Sequence, residues 1–135
     1  APVCMAFAPH EDLIAVGDIE GRIHLWRPGA ATRREFLLGS PSMTTAHAFQ
    51  TRALAISPSG RLLYSIAERL RGDAGGRVGH FFVWRKSPKG WRRTRVGLLD
   101  SVPSSISVSS DGAWLLVSSA RGRVELWAGG DSESF

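Results

Sequence analysis

Three stretches of the chain carry one pattern: Gly21-Arg22-Ile23-His24-Leu25-Trp26, Gly79-His80-Phe81-Phe82-Val83-Trp84 and Gly122-Arg123-Val124-Glu125-Leu126-Trp127. In the first and third, Ile23 and Leu25 alternate with His24 and Trp26, and Val124 and Leu126 with Glu125 and Trp127. Alternation of this kind marks a β-strand. The glycine before each tolerates positive φ, as a hairpin turn requires. Upstream lie Asp12–Gly17, Arg61–Ile66 and Ala113–Ser118, mostly apolar runs of the kind a strand buried on both faces shows. Further upstream lie Val3–Pro9, Arg52–Pro58 and Ser104–Ser110. Turn residues join the two: Pro9-His10-Glu11-Asp12, Pro58-Ser59-Gly60 and Ser110-Asp111-Gly112.

The spacing repeats as well. Pro9 to Trp26 is 17 residues, and so is Ser110 to Trp127. Pro58 to Trp84 is 26, and the nine extra residues fall in a Gly- and Arg-rich segment, Arg69–Arg77, expected as an inserted loop. Trp84 to Trp127 is 43 residues, within the period of about 40–45 of a propeller blade. More polar fourth strands are expected at Arg33–Leu38 and Trp91–Leu98, as outer edges should be. Helix-period segments are absent. The reading is all-β: three four-stranded blades over 1–45, 46–100 with the loop 69–77, and 101–135, the last lacking its fourth strand. Closed propellers hold about four to eight blades, so an arc of a larger ring is expected, completed by missing sequence or another chain. The start Ala1-Pro2-Val3 without Met, and a tail Asp131–Phe135 that reads as an inter-blade loop, fit the same expectation.

These marks resemble the WD-repeat family: the Pro-x-Gly turn, the small-residue second strand and the closing Trp. The resemblance spans essentially the whole chain and implies structural roles for Trp26, Trp84, Trp127, Gly21, Gly79 and Gly122, with His47 as the remnant of the repeat histidine. The chain also departs from the pattern. The family's Asp after the Trp is Arg27, Arg85 and Ala128, and its structural Asp six residues before the Trp is Glu20, Val78 and Arg121. Its His–Ser–Asp–Trp network is therefore expected to be degenerate, with packing carrying the blades. Ala15–Arg27, Ala53–Ser57 after His47, and Ser105–Ser109 further resemble nucleolar WD-repeat subunits of the early small-subunit ribosome-assembly complex. That likeness implies a structural subunit aiding pre-ribosomal RNA transcription and processing, in the nucleus or nucleolus; otherwise an intracellular, cytoplasmic location is expected.

Composition narrows the function. Over 135 residues, 43 % apolar and 21 % charged is a globular balance. Apolar runs fall far short of the roughly 20 residues that span a bilayer, so no membrane role is expected; no secretory leader is visible. One cysteine, Cys4, forbids an internal disulfide and points to a reducing compartment. His10, His24, His47 and His80 form no metal-ligand pair, and no Gly-x-Ser-x-Gly elbow is present. No catalytic, metal or cofactor site is expected, hence no enzyme. A metal-dependent propeller hydrolase would need Asn and acids around a channel, and the chain has no Asn. Arg71-Gly72-Asp73 spells an adhesion tripeptide, a three-residue match of the kind chance supplies.

The net charge is +5, and 15 of the 17 cations are arginine. Arg85–Arg95 holds six cations, no acid and Trp91. Such a hairpin is either a solvated edge or a surface for phosphates and bases. Arg27, Arg33 and Arg34 stand at the equivalent place one blade earlier, so Arg27, Arg33, Arg34, Arg85, Lys86, Lys89, Trp91, Arg92, Arg93 and Arg95 are the candidate basic face. Lys86-Ser87-Pro88 also fits a proline-directed phosphorylation site. Two functions remain: a non-catalytic scaffold joining protein subunits of a larger complex, or a ribonucleoprotein subunit using the basic face on RNA.

Overall fold

A computed structural model describes residues 2–8, 13–18, 22–27, 34–38, 50–71, 76–99 and 102–128. Gly21, Arg33 and His47 lie outside the described residues, as do His10, Asp73 and the tail 131–135. The described residues form eleven strands and no helix. β1 (Pro2–Phe7), β2 (Ile14–Asp18), β3 (Arg22–Trp26) and β4 (Arg34–Leu38) make the first antiparallel sheet, in that order. The central sheet is β5 (Gln50–Ile56), β6 (Leu62–Arg71), β7 (Gly76–Ser87) and β8 (Gly90–Leu99). The third has three strands, β9 (Pro103–Val108), β10 (Trp114–Ser119) and β11 (Val124–Ala128). The two expected fourth strands are thus present as β4 and β8.

Period-two alternation on a wholly apolar strand explains the stacking. Along β6, Leu62, Tyr64 and Ile66 face one way, and Leu63 and Ala67 the other. Along β7, Phe81 and Val83 join the first set, Phe82 and Trp84 the second. One face packs on Ala15, Ile23 and Leu25 of the first sheet; the other packs on Leu115 and Val117 of the third. The central sheet is therefore buried on both sides. At about 1.5–3 kcal/mol for each large apolar side chain taken from water, these two interfaces dominate the stability. The sheets meet closely at Gly17, where a Cβ would lie 2.5 Å from Thr51 Cγ2 and 2.8 Å from Cys4 Sγ.

The repeat persists to the level of single hydrogen bonds. Ser57 N–H donates to Leu62 O (2.9 Å), and Leu62 N–H returns a bond to Ser57 Oγ (3.1 Å). Ser109 and Trp114 make the same pair at 2.9 and 3.0 Å. Gly60 and Gly112 both take φ of 75° in these turns. Asp111 accepts from Ser109 Oγ and from Ala113 N–H, which hold its carboxyl below the usual carboxylate range.

Two expectations need correction. The inserted segment 69–77 is largely ladder: β6 and β7 stay paired through Arg69↔Val78, Leu70↔Arg77 and Arg71↔Gly76. Arg69–Arg71 and Gly76–Val78 thus lengthen the two strands. Gly79 is consequently no turn glycine. It sits inside the sheet opposite Glu68 and Leu99, and is absent from the positive-φ glycines. Gly122, at φ 77°, does occupy its turn.

The tryptophans hold one register, Trp26↔Ile14, Trp84↔Leu63 and Trp127↔Leu115. Trp84 Nε1–H donates to Ser65 Oγ (3.1 Å) in the buried interior. The residues equivalent to Ser65 are Val16 and Val117, which offer no acceptor, and Trp127 Nε1–H turns instead to Glu125 Oε2 (3.1 Å). Ser65→Ala leaves a buried indole N–H without its partner, at a cost of about 1–3 kcal/mol. Urea unfolding measures this; an unchanged midpoint excludes the bond as a contributor.

Candidate interaction surfaces

The β7–β8 hairpin carries the densest charge. Ser87 pairs with Gly90 across the Pro88-Lys89 turn, and Ser87 Oγ–H donates to Gly90 O (2.8 Å). Lys86 faces Trp91, Arg85 faces Arg92, and Trp84 faces Arg93. A bulge follows between Val83 and Trp84, where Thr94 is the extra residue and its hydroxyl donates to Val83 O (3.3 Å). The hairpin brings Arg85, Arg92 and Arg93 together with Ser87 and Thr94 around an open cleft of about 330 Å³. The Arg93 guanidinium carbon lies 5.8 Å from the Phe82 ring centroid, a cation–π distance.

Other expected members stand apart. Lys89 is exposed at the turn, and Arg27 is exposed at the end of β3. Arg34 and Arg95 are placed by their backbone, opposite Trp26 and Val83. Arg34 thus holds in the first sheet the register that Arg93 holds in the second. Trp91 is partly buried and packs against the core between the first two sheets, so it is no free platform for a base.

A second surface was not read from the sequence. On the outer side of the first sheet, Met5, Phe7 and Trp26 are exposed. On the outer side of the third, Trp114, Leu116, Val124 and Leu126 are exposed. The two faces lie at opposite ends of the stack of sheets. Trp26 is 47 % exposed, whereas Trp84, at the same register, is 5 % exposed against the first sheet. Trp127 likewise packs on Phe81, with ring centroids 5.1 Å apart. The alternation of Val124 and Leu126 was visible, but which phase meets a neighbouring sheet was not.

Polar groups in the first sheet are organised by Asp18, eight residues before Trp26, where the motif has no aspartate. This buried carboxylate accepts from Arg22 N–H (3.0 Å) and Arg22 Nε–H (2.9 Å), with His24 Nε2 at 3.0 Å. His80 stacks at 6.1 Å on Phe82. Among the described residues no group of His, Cys, Asp and Glu is arranged to hold a metal.

Residues 1–27 match the family model described as "WD domain, G-beta repeat". Among solved structures, a chain of "Crystal Structure of Mitotic Checkpoint Complex" superposes with a TM-score of 0.68 at 18 % identity. The match covers 95 % of this chain and 37 % of that one. The sheets match WD40 propeller blades. At such identity the likeness concerns the fold alone. No curated protein matches the chain.

Cys4 lies on the first strand of the first blade, facing the second. Its Sγ is 4.0 Å from Thr51 O, and burial pushes its thiol up to about 11, against a smaller opposing pull from the Gly17 backbone. Relative to an ordinary thiol near 9, the thiolate fraction at neutral pH falls about a hundredfold. Alkylation of Cys4 in the folded chain is expected to be slower than in urea by at least that factor, measured by mass spectrometry over time. Equal rates in the two solvents exclude the buried placement.

Proposed function

We propose that this chain is a non-catalytic assembly scaffold, its blades forming an arc of a larger propeller that joins protein subunits. The observation that carries the reading is the pair of outer apolar faces. Trp26 occupies the register at which Trp84 and Trp127 pack on the preceding blade, so its face is built to meet another sheet. Leu126 and Val124 lie on the opposite kind of face, which the second blade covers in the first. Contiguous exposed apolar residues on a soluble protein mark an interaction surface. The further blades come from additional sequence or from another chain. A rigid frame with function placed on edges and hairpins needs no catalytic group, and the matched solved chain belongs to a structure titled as a complex.

The two faces differ, so contact between copies is head-to-tail and continues until blocked. The purified chain is expected to self-associate as concentration rises in sedimentation velocity. Leu126→Asp or Phe7→Asp, each on one face only, is expected to stop growth. A parent chain that stays monomeric at high concentration refutes the reading.

The Arg-rich hairpin favours a second reading, the ribonucleoprotein subunit of pre-ribosomal RNA processing, with a nuclear or nucleolar location. Its support is charge alone. Arg92→Glu, Arg93→Glu and Arg95→Glu together are expected to abolish a salt-dependent RNA affinity. Absence of RNA binding by the parent at low salt sinks it.

A further inference from the structure

The dipeptide Ser-Pro occurs three times in the chain, at Ser40-Pro41, Ser57-Pro58 and Ser87-Pro88. Ser40 lies outside the described residues. The fold treats the other two in opposite ways. Ser57 is wholly buried; its Oγ accepts from Leu62 N–H (3.1 Å) and lies 3.2 Å from Ser59 Oγ. An enzyme reaches that hydroxyl only by dismantling the turn between β5 and β6. Ser87 ends β7 at the tip of the β7–β8 hairpin, half-buried, and Pro88 and Lys89 after it are exposed.

The Ser87 hydroxyl donates to Gly90 O (2.8 Å). Ser87↔Gly90 is the last pair of the ladder. Ladder ends and loop tips open at little free-energy cost, whereas core strands open only at the global cost. The hydroxyl is therefore released without disturbing the enclosed Phe82, Val83 and Trp84 further along β7. A residue before proline is held extended, and the proline nitrogen carries no hydrogen. An extended serine followed by an exposed proline ring is the surface a proline-directed kinase reads. Lys86 and Lys89 flank it, whereas no cation stands within two residues of Ser40 or Ser57. The stretch Arg85–Arg95 holds six cations and no acid.

We propose that Ser87 is a phosphorylation site for a proline-directed protein kinase, and that its modification lowers the hold of the basic hairpin on polyanions. A bond forms from the γ-phosphorus of a nucleoside triphosphate to Ser87 Oγ. The bond from that phosphorus to the β–γ bridging oxygen breaks, the hydroxyl proton is lost, and the nucleoside diphosphate leaves. The phosphoryl group brings about 1.5 to 2 negative charges near neutral pH. It thereby offsets about a quarter to a third of the six positive charges on the hairpin. The site depends on neither the scaffold reading nor the ribonucleoprotein reading, since the modification is read by mass whether or not another subunit or RNA binds.

The folded full chain, with Ser40→Ala to remove the third dipeptide, is incubated with a purified proline-directed kinase and magnesium ATP. Fragment mass spectrometry maps the product. One phosphoryl group is expected, at Ser87, with none at Ser57. Ser87→Ala is expected to abolish it, Pro88→Ala to slow it at least about tenfold, and Ser87→Thr to remain a substrate. Circular dichroism establishes that each variant is folded. Synthetic peptides of residues 52–62 and 82–92 serve as unfolded controls. A folded chain refused at Ser87 while the 82–92 peptide is accepted overturns the open tip, and refusal of both overturns the motif. Equal modification of Ser57 and Ser87 in the folded chain overturns the selection by burial. On immobilised heparin the phosphorylated chain is expected to elute at lower salt than the untreated chain, and kinase-treated Ser87→Ala to elute unchanged. Equal elution of the phosphorylated and untreated chains overturns the charge effect.

Discussion

Everything else in the structure depends on the two-sided burial of β6 and β7. Tyr64 and Phe81 stack at 6.2 Å on one side of the central blade, while Phe82 and Trp84 meet at 6.4 Å on the other. Tyr64, Phe81 and Phe82 are all fully or almost fully enclosed. Along Leu62–Ala67 and Phe81–Trp84 neither face is left for water, so a polar residue there needs a partner, as Ser65 has in Trp84. The outer blades each borrow one covered face from the centre. Their remaining faces are apolar because the repeat makes every blade alike, whether or not a neighbour is present.

The polar interior is less uniform than the apolar one. Packing asks only for suitable size and apolarity at a given register, and Ile14, Leu63 and Leu115 all satisfy it beneath their tryptophans. A hydrogen-bond network asks for particular atoms at particular distances. Each blade meets that demand in its own way: Asp18 with Arg22 and His24, Ser65 with Trp84, Glu125 with Trp127. The fold therefore stands without the WD-repeat aspartate at positions 20, 78 and 121, since geometry is held by the sheets and not by one shared constellation.

Two kinds of surface emerge from this frame. The outer faces are broad, apolar and set by the repeat. The β7–β8 hairpin is small and charged, with Arg85 opposite Arg92 and a bulge at Thr94. Their chemistries differ, one apolar and the other cationic.

The sequence by itself determined the blades. Recurring Trp26, Trp84 and Trp127, the turn serines and glycines, and the apolar second strands are local signals of period two, and a strand's residues alternate whatever surrounds them. It also determined that the basic residues gather on one hairpin, because Arg85 to Arg95 are neighbours along the chain. Only the tertiary structure decided which phase of each alternation is covered: Trp84 is enclosed and Trp26 is not, though the two motifs read alike. Only the strand register decided that Arg85 stands opposite Arg92, that Trp91 turns inward and that Gly79 lies within a ladder. Each of these depends on what stands across a sheet or between sheets, and a linear pattern does not contain its own neighbours.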